Sequence, residues 1–205
     1  MRKQSKSFAI NTLVDPTADF DFYPLTPKRW PDIEQLFGPR GACGGCWCML
    51  WRLKRADFEK QKGSTNKRAL RKIVESGKPA GVLAYHGGQP VGWCAVAPRL
   101  DFPALGRSRI LRPVDDQPVW SVTCFFIARG YRRKGLATKL LGAAVNYAHE
   151  QGAKIIEGYP TDPRTNSIPD VFAWTGLAAA FRKAGFQEVA RRSLTRPLMR
   201  VSVRQ

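Results

Sequence analysis

The sequence is poor in acidic residues, with 16 Asp and Glu against 34 Lys and Arg in 205 positions and a formal net charge of +18. Between Gln117 and His149 it has no acidic residue at all. A surface with this excess of positive charge attracts anionic partners, such as nucleic acids, anionic membranes or phosphorylated small molecules. The charge therefore predicts an anionic partner without selecting its class.

Long hydrophobic runs are also missing, because no window approaches the roughly 18 apolar residues of a membrane-spanning helix. The basic first residues contain no apolar stretch of signal-peptide length. The five cysteines are an odd number, whereas a secreted disulfide framework more often has an even count. These absences predict a cytoplasmic protein with reduced cysteines and no membrane partner.

Metal-binding patterns are incomplete. Cys43, Cys46 and Cys48 lie close together in CGGCWC, but no second C-x-x-C or H-x-x-x-H pair exists in the chain. Zinc usually takes four ligands, so a site here would have to recruit distant residues such as Cys94 or Cys124, which stand in strand-like runs typical of a core. We therefore expect no metal, with a zinc-binding module as the alternative.

Hydrophobic patterning predicts one mixed α/β domain. Residues 1–18 are polar and poorly patterned, so we expect a loose N-terminal arm. A single domain would cover 19–205, with insertions at 38–60 and 98–118. Its elements follow the order strand, two helices, three strands, helix, strand, helix and two strands. The second insertion contains a basic segment, LGRSRILR at 105–112, that is predicted to be helical.

The local signals are clearest in the middle of the chain. Gly87 and Gly88 between two apolar runs predict a β-hairpin. Residues 119–128, VWSVTCFFIA, are almost continuously apolar and predict a central strand buried on both faces. Helical periodicity begins at Gly135, and another strand is predicted at 153–160. Strand, helix and strand in succession imply a parallel crossover.

Four cationic side chains, Arg129, Arg132, Arg133 and Lys134, precede the helix that begins at Gly135. The free N–H groups of a helix N-terminus already make the potential positive, so added cations repel the helix dipole unless an anion joins them. Backbone N–H groups and Arg or Lys side chains form charge-assisted hydrogen bonds to phosphate. We therefore predict a phosphate-binding turn, although the P-loop and G-x-G-x-x-G patterns are absent.

The motif Arg132-x-x-Gly135-x-Ala137 at this turn resembles the pyrophosphate-binding signature [R/Q]-x-x-G-x-[G/A] of the GNAT superfamily, the acyl-CoA-dependent N-acyltransferases. The order of elements and the sequence FRKAGF, which ends a helix predicted over about 172–184, are also similar to that superfamily, and CWCMLWR looks similar to segments of bacterial members. The resemblance implies a single-domain GNAT-like fold, with a mixed, mostly antiparallel central sheet, a parallel strand–helix–strand crossover and flanking helices.

The same resemblance implies acetyl-CoA as the acyl donor and an amine of a small molecule or a protein as the acceptor. In GNAT proteins the pantetheine arm of CoA pairs with the strand before the signature, and the pyrophosphate binds the N–H groups of the turn. The implied cofactor-binding residues are Phe125, Phe126, Ile127, Arg132, Arg133, Lys134, Gly135, Leu136, Ala137 and Thr138.

Acyl transfer requires a neutral amine, whereas a lysine-like amine has a pKa of about 10.4, so a base must remove a proton. Glu157 in KIIEGYP is the candidate base, and its alternative role is a surface carboxylate or the partner of an arginine. The backbone N–H of Ile127 or a neighbour is expected to polarise the thioester carbonyl. Phe181 stands where many GNAT members have a Tyr that acts as the general acid. Either Tyr159 protonates the leaving thiolate, or the thiolate, with a pKa of about 8.5, leaves unaided.

In GNAT proteins the segment between the first two helices commonly borders the acceptor. Cys46, Trp47, Met49 and Trp51 are therefore predicted to form an apolar wall for it. Alternatively, these side chains pack a satellite core. Two functions outside catalysis stay open: a CoA-binding protein without transferase activity and a basic nucleic-acid-binding module. Dispersed charges and the absence of a stacking motif predict no specific nucleic-acid partner.

Overall fold

A seven-stranded β-sheet forms the centre of the structure, a computed structural model that describes residues 20–163, 169 and 173–203. Its order is β1-β2-β3-β4-β5-β7-β6, and only β4 and β5 pair in parallel. The strands are β1 (Asp21–Pro24), β2 (Gly81–His86), β3 (Gln89–Pro98), β4 (Trp120–Ile127), β5 (Ile155–Gly158), β6 (Gln187–Arg191) and β7 (Pro197–Ser202). The predicted mixed, mostly antiparallel sheet is confirmed. The predicted arm at 1–18 lies outside the described residues.

Helices cover both faces of the sheet. They are α1 (Trp30–Phe37), α2 (Arg55–Lys60), α3 (Ser64–Glu75), α4 (Pro103–Gly106), α5 (Leu136–Glu150) and α6 (Ala178–Lys183). On one face Leu140 and Leu141 of α5 are fully buried against Val122 and Val96, while Leu70 of α3 belongs to a core on the other. Among the described helices none is long and apolar enough to span a membrane.

The predicted hairpin is present, because β2 and β3 pair antiparallel on either side of Gly87 and Gly88. Both glycines have positive φ, 54° and 75°, and two such residues make the turn that matches strand twist. The strand–helix–strand segment from β4 through α5 to β5 is also as predicted, with β4 and β5 parallel.

Two helical predictions need correction. The last helix, predicted over about 172–184, begins at Ala178; residue 172 lies outside the described residues, and Gly176 has a φ of 82° that a helix cannot contain. The basic segment at 105–112 is not helical beyond Gly106, because the Ser108 hydroxyl accepts the N–H of Leu111 and closes a turn instead. The predicted insertion at 38–60 ends with the short helix α2.

Strand β4 contains a β-bulge. Ala95 of β3 pairs with Cys124 and Val96 pairs with Val122, so Thr123 is the extra residue on β4. A bulge reverses the alternation of side chains between the two faces. As a result, Val122 before the bulge and Phe125 after it both pack on the α5 side.

Candidate active site

The turn between β4 and α5 carries the predicted phosphate motif. A single 3-10 turn, Arg129–Tyr131, follows β4, and then Arg133 and Gly135 both adopt the left-handed conformation with φ of 60° and 78°. The Arg132 Nε donates to the carbonyl oxygen of Ile127 at 2.8 Å and so ties the turn to the end of the strand. Turns of this kind orient successive N–H groups into an anion-binding concavity.

The space beside this turn is open. A Cβ placed on Gly135 would have no heavy atom within 4 Å, and Arg133 and Lys134 are exposed. The first N–H groups of a helix have no partner within the helix, while the Thr138 N–H already bonds to the Gly135 carbonyl at 3.0 Å. The geometry therefore leaves room for an anion at the N-terminus of α5.

Strands β4 and β5 separate directly after the bulge, because their pairing ends at Val122 and Gly158. The chain segment 173–177 borders this gap: the carbonyl oxygen of Trp174 accepts the N–H of Phe125 at 2.6 Å, and Leu177 forms a parallel bridge with Thr161. Of the backbone groups predicted to bind pantetheine, the N–H of Phe125 is thus already engaged within the chain.

The other two predicted pantetheine contacts face different sides of β4. Ala128 donates its N–H to the Val91 carbonyl, so the main chain at residue 128 faces β3. Along an antiparallel strand, residues that hydrogen-bond to a given neighbouring strand alternate with residues whose main chain faces the other side. The Phe126 main chain therefore faces β3, whereas the N–H of Ile127 faces the gap. Ile127 is placed where an N–H can meet a ligand in the gap.

Glu157 lies on β5 next to the same gap and is fully buried. Its Oε1 accepts from Arg99 at 2.6 Å and from the Tyr159 hydroxyl at 2.7 Å, and its Oε2 accepts from Arg200 at 2.7 Å. Burial and the Glu157 charge raise the pKa of Tyr159 well above its usual value. Glu157 is therefore a partner of two arginines, the alternative role considered above, and its role as general base stays a prediction.

The cysteine- and tryptophan-rich loop divides between core and surface. Trp47 is 4% exposed and stacks on Trp30 with a 6.0 Å centroid distance, and Met49 is buried in the same core. Cys46 is half-buried, with its thiol 3.8 Å from the Gly41 carbonyl. Of the four residues predicted to form an acceptor wall, these three therefore pack against the protein itself, and the fourth, Trp51, lines a cavity.

Two cysteines meet beneath this loop. The Sγ atoms of Cys48 and Cys124 lie 3.3 Å apart, and Trp93 donates its indole N–H to Cys48 at 3.2 Å. The hydrogen bond between the two thiols lowers the pKa of Cys48 and raises that of Cys124. Among the described residues, no group of three or more His, Cys, Asp or Glu is placed to hold a metal.

Comparison with known proteins decides the family. The model of the acetyltransferase (GNAT) family matches residues 47–169, more than half of the chain. The chain belongs to the GNAT family. This confirms the resemblance drawn from the phosphate-binding motif, and residues 129–138 lie inside the matched region.

Solved GNAT structures share the fold at low sequence identity. An acetyltransferase of the GNAT family from Listeria monocytogenes 4b F2365 has a TM-score of 0.56 and 11% identity, over 94% of this chain and 100% of that chain. One from Streptococcus agalactiae 2603 has a TM-score of 0.54 and 13% identity, over 91% and 96%. A protein from Salmonella typhimurium, solved with its cofactor acetyl-CoA, has a TM-score of 0.50 and 12% identity, over 89% and 93%. No curated protein matches significantly.

Phe181 is a core residue in this GNAT chain. It stands at the position where many GNAT members have a Tyr that acts as the general acid. It is fully buried and packs edge-on against Phe125 and Phe186, with ring centroids 6.0 and 4.9 Å away. A Cβ on Gly158 would come within 2.1 Å of its ring, so the ring fills the space that this glycine leaves. Tyr159, the candidate substitute acid, donates its hydroxyl hydrogen to Glu157, and its role as an acid stays a prediction.

A cavity of about 470 Å³ is present in this GNAT protein. The two predicted insertions build most of it: 38–60 contributes Trp51, and 98–118 contributes Arg107. Trp174 and Arg196 close it from the C-terminal part of the chain. The sequence did not predict Arg107, Trp174 or Arg196 as lining residues; the basic character of the second insertion and of the C-terminal segment was a signal for the two arginines only.

Proposed function

We propose that this GNAT protein is an acyl-CoA-dependent N-acyltransferase that transfers an acetyl group from acetyl-CoA to a free amine. The observation that carries the proposal is the open, cation-rich N-terminus of α5 at Gly135, directly after the strand that separates from β5. A relative of the same fold was solved with acetyl-CoA, which supports the choice of donor.

The donor would bind in two parts. The pyrophosphate would accept hydrogen bonds from the N–H groups of Arg133, Gly135 and the first turn of α5, with the cationic side chains around it. The pantetheine arm would follow the gap, where the Ile127 N–H is the available backbone donor. That N–H is also the group proposed to polarise the thioester carbonyl.

The acceptor amine has to lose a proton during its attack on the thioester carbon. Glu157, beside the gap, is the proposed base, and Tyr159 links it to the Ser121 hydroxyl at 2.8 Å. The leaving thiolate of CoA, with a pKa of about 8.5, needs no strong acid, so a phenylalanine at position 181 is compatible with turnover.

The experiment that tests the phosphate-binding turn compares three variants. Gly135→Asp adds a negative charge at the N-terminus of α5, and Gly135→Asn adds the same bulk without charge; both residues tolerate positive φ better than other non-glycine residues. Gly152→Asn is the control, because Gly152 also has positive φ and open space around it, but lies just beyond the other end of the same helix. The readouts are the Kd of CoA by calorimetry and thiol release from acetyl-CoA with a panel of amines.

We expect Gly135→Asp to weaken CoA binding by about 100-fold or more, because one charge-assisted hydrogen bond is worth about 1.5–3 kcal/mol and several are lost. Gly135→Asn should lose less, and Gly152→Asn should bind as the wild type. Wild-type affinity of Gly135→Asp for CoA would refute the proposed phosphate-binding turn. Tight CoA binding with no thiol release across the panel would favour the second candidate, a CoA-binding protein without transferase activity, to which the buried Phe181 points.

A further inference from the structure

We propose that the cavity between the two insertions is the acceptor subsite and that it takes a small amine carrying an aromatic ring and a carboxylate. The transfer step in this inference rests on the proposed function, whereas the binding of the ligand does not. The cavity of about 470 Å³ lies in the range of about 300–1,000 Å³ that small-molecule sites occupy.

Two indole rings shape the apolar part of the cavity. Trp51 and Trp174 both line it, with ring centroids 6.1 Å apart and planes inclined by 28°. Leu50, Ile110 and Leu111 complete the apolar lining. A planar aromatic group matches such a wall, because aromatic rings pair in offset-stacked or edge-on arrangements that add to the gain from burial.

Three arginines, Arg55, Arg107 and Arg196, supply the polar part, and none of the described lining residues is acidic. Within the part of the chain that the structure describes, no carboxylate forms an ion pair with any of the three. By contrast, Arg99 and Arg200 nearby each hold a carboxylate at 2.6 or 2.7 Å. Among the described residues, no carboxylate therefore neutralises the positive charge at the cavity, which favours an anionic ligand.

Arg196 is the most desolvated of the three arginines. It is half-buried, its Nη1 donates to the Tyr159 carbonyl and to the Thr175 hydroxyl, and burial lowers its pKa. Neutral acceptors offset only part of the cost of burying a guanidinium charge. A carboxylate that accepts two parallel hydrogen bonds offsets this cost best. Arg196 therefore favours an anionic group on the ligand.

An unpaired donor points to the same conclusion. The indole N–H of Trp51 is buried and, among the described residues, has no hydrogen-bond partner. Buried polar groups in native proteins are almost always paired, so an unpaired one needs an explanation. A ligand oxygen that reaches this N–H would supply the missing acceptor.

The position of the cavity suits an acceptor. The Trp174 carbonyl binds the N–H of Phe125 on β4, and Arg196 binds the carbonyl of Tyr159, two residues after Glu157. Tyr159 and Trp51 belong to one hydrophobic cluster, apart from the cluster that α5 covers. The cavity therefore adjoins the gap between β4 and β5 from the side away from α5, and the donor and acceptor would meet there.

The test uses matched amines and matched variants. L-tryptophan and L-phenylalanine have a ring and a carboxylate, tryptamine and phenethylamine lack the carboxylate, and L-alanine lacks the ring. Arg107→Gln and Arg55→Gln change exposed residues of the cavity, so the fold should tolerate them, and Arg68→Gln changes an exposed arginine on α3 as a control. Binding of each amine is measured by calorimetry without CoA, and turnover by thiol release from acetyl-CoA.

We expect the wild type to bind L-tryptophan at least tenfold more tightly than tryptamine or L-alanine. Arg107→Gln should reduce that preference about tenfold or more, as for a lost charge-assisted hydrogen bond, and Arg68→Gln should keep it. Equal binding of L-tryptophan and tryptamine by the wild type, or an unchanged preference in both Arg107→Gln and Arg55→Gln, would overturn the proposal. Arginine-dependent binding of L-tryptophan without thiol release would support the acceptor subsite and contradict the transferase activity. Thiol release with amines, but without this preference, would support the transferase activity and contradict the subsite.

Discussion

Replacing Glu157 with Gln tests whether this carboxylate is structural, catalytic or both. The change keeps size and shape but removes a fully buried negative charge that pairs with Arg99 and Arg200, whose side chains are 12% and 10% exposed. Breaking a buried ion pair by removing one partner costs about 3–5 kcal/mol. The guanidinium groups keep other acceptors, the Leu111 carbonyl for Arg99 and Asp115 for Arg200. We therefore expect Glu157→Gln to lower the free energy of unfolding by about 3 kcal/mol, the lower end of that range.

Urea unfolding measures this loss. With a slope of about 2–3 kcal/mol/M, the midpoint of Glu157→Gln should fall by about 1–1.5 M at an unchanged slope. Asp115→Asn is the control, because it removes only the partly exposed partner of Arg200 and should shift the midpoint little. An unchanged midpoint in Glu157→Gln would refute the structural role.

The catalytic role has a separate readout in the same variant. Thiol release from acetyl-CoA is measured well below the unfolding midpoint and corrected for the folded fraction. Loss of a general base lowers kcat by about 10²–10⁴-fold. A kcat for folded Glu157→Gln within a fewfold of the wild type would show that the carboxylate only holds its two arginines in place.

Two further predictions concern packing and thiol chemistry. Gly158→Ala should destabilise the protein by about 1–3 kcal/mol in urea unfolding, because its Cβ would lie 2.1 Å from the Phe181 ring. Adding Phe181→Leu should recover part of that loss, and strictly additive effects would contradict the contact. Burial raises the pKa of Cys46 to about 11. Iodoacetamide at pH 8 should therefore label the exposed Cys43 well before Cys46 by mass spectrometry, and equal rates would contradict the burial.

Local signals predicted the parts of the fold that local physics determines. The pair Gly87 and Gly88 predicted a hairpin because glycine readily adopts the two positive φ values of a turn that matches the twist of the strands. The cations ahead of Gly135 predicted a phosphate-binding turn at a helix N-terminus, because they repel the helix dipole unless an anion joins them; the helix begins there, and the phosphate stays a prediction. Both features depend on residues within one or two turns of each other.

Contacts between distant residues left no such signal. The pairing of Arg99 with Glu157 joins residues 58 apart, and the bond from Phe125 to Trp174 joins β4 to a segment that the sequence assigned to a helix. The bulge at Thr123 depends on the register of β3, which the continuous apolar run of β4 does not reveal. The same limit explains why aromatic side chains of the first insertion could be assigned equally well to a core or to a pocket.

Trp174 contributes to two neighbouring places through different parts of one residue. Its carbonyl accepts the Phe125 N–H at the edge of β4 that faces the gap, and its indole forms part of the cavity wall beside Trp51. A ligand that binds the Phe125 N–H would have to displace that carbonyl, and the displacement would shift the indole of the same residue. Occupancy at the strand edge and in the cavity would then be thermodynamically linked, with each ligand changing the affinity of the other by the same factor.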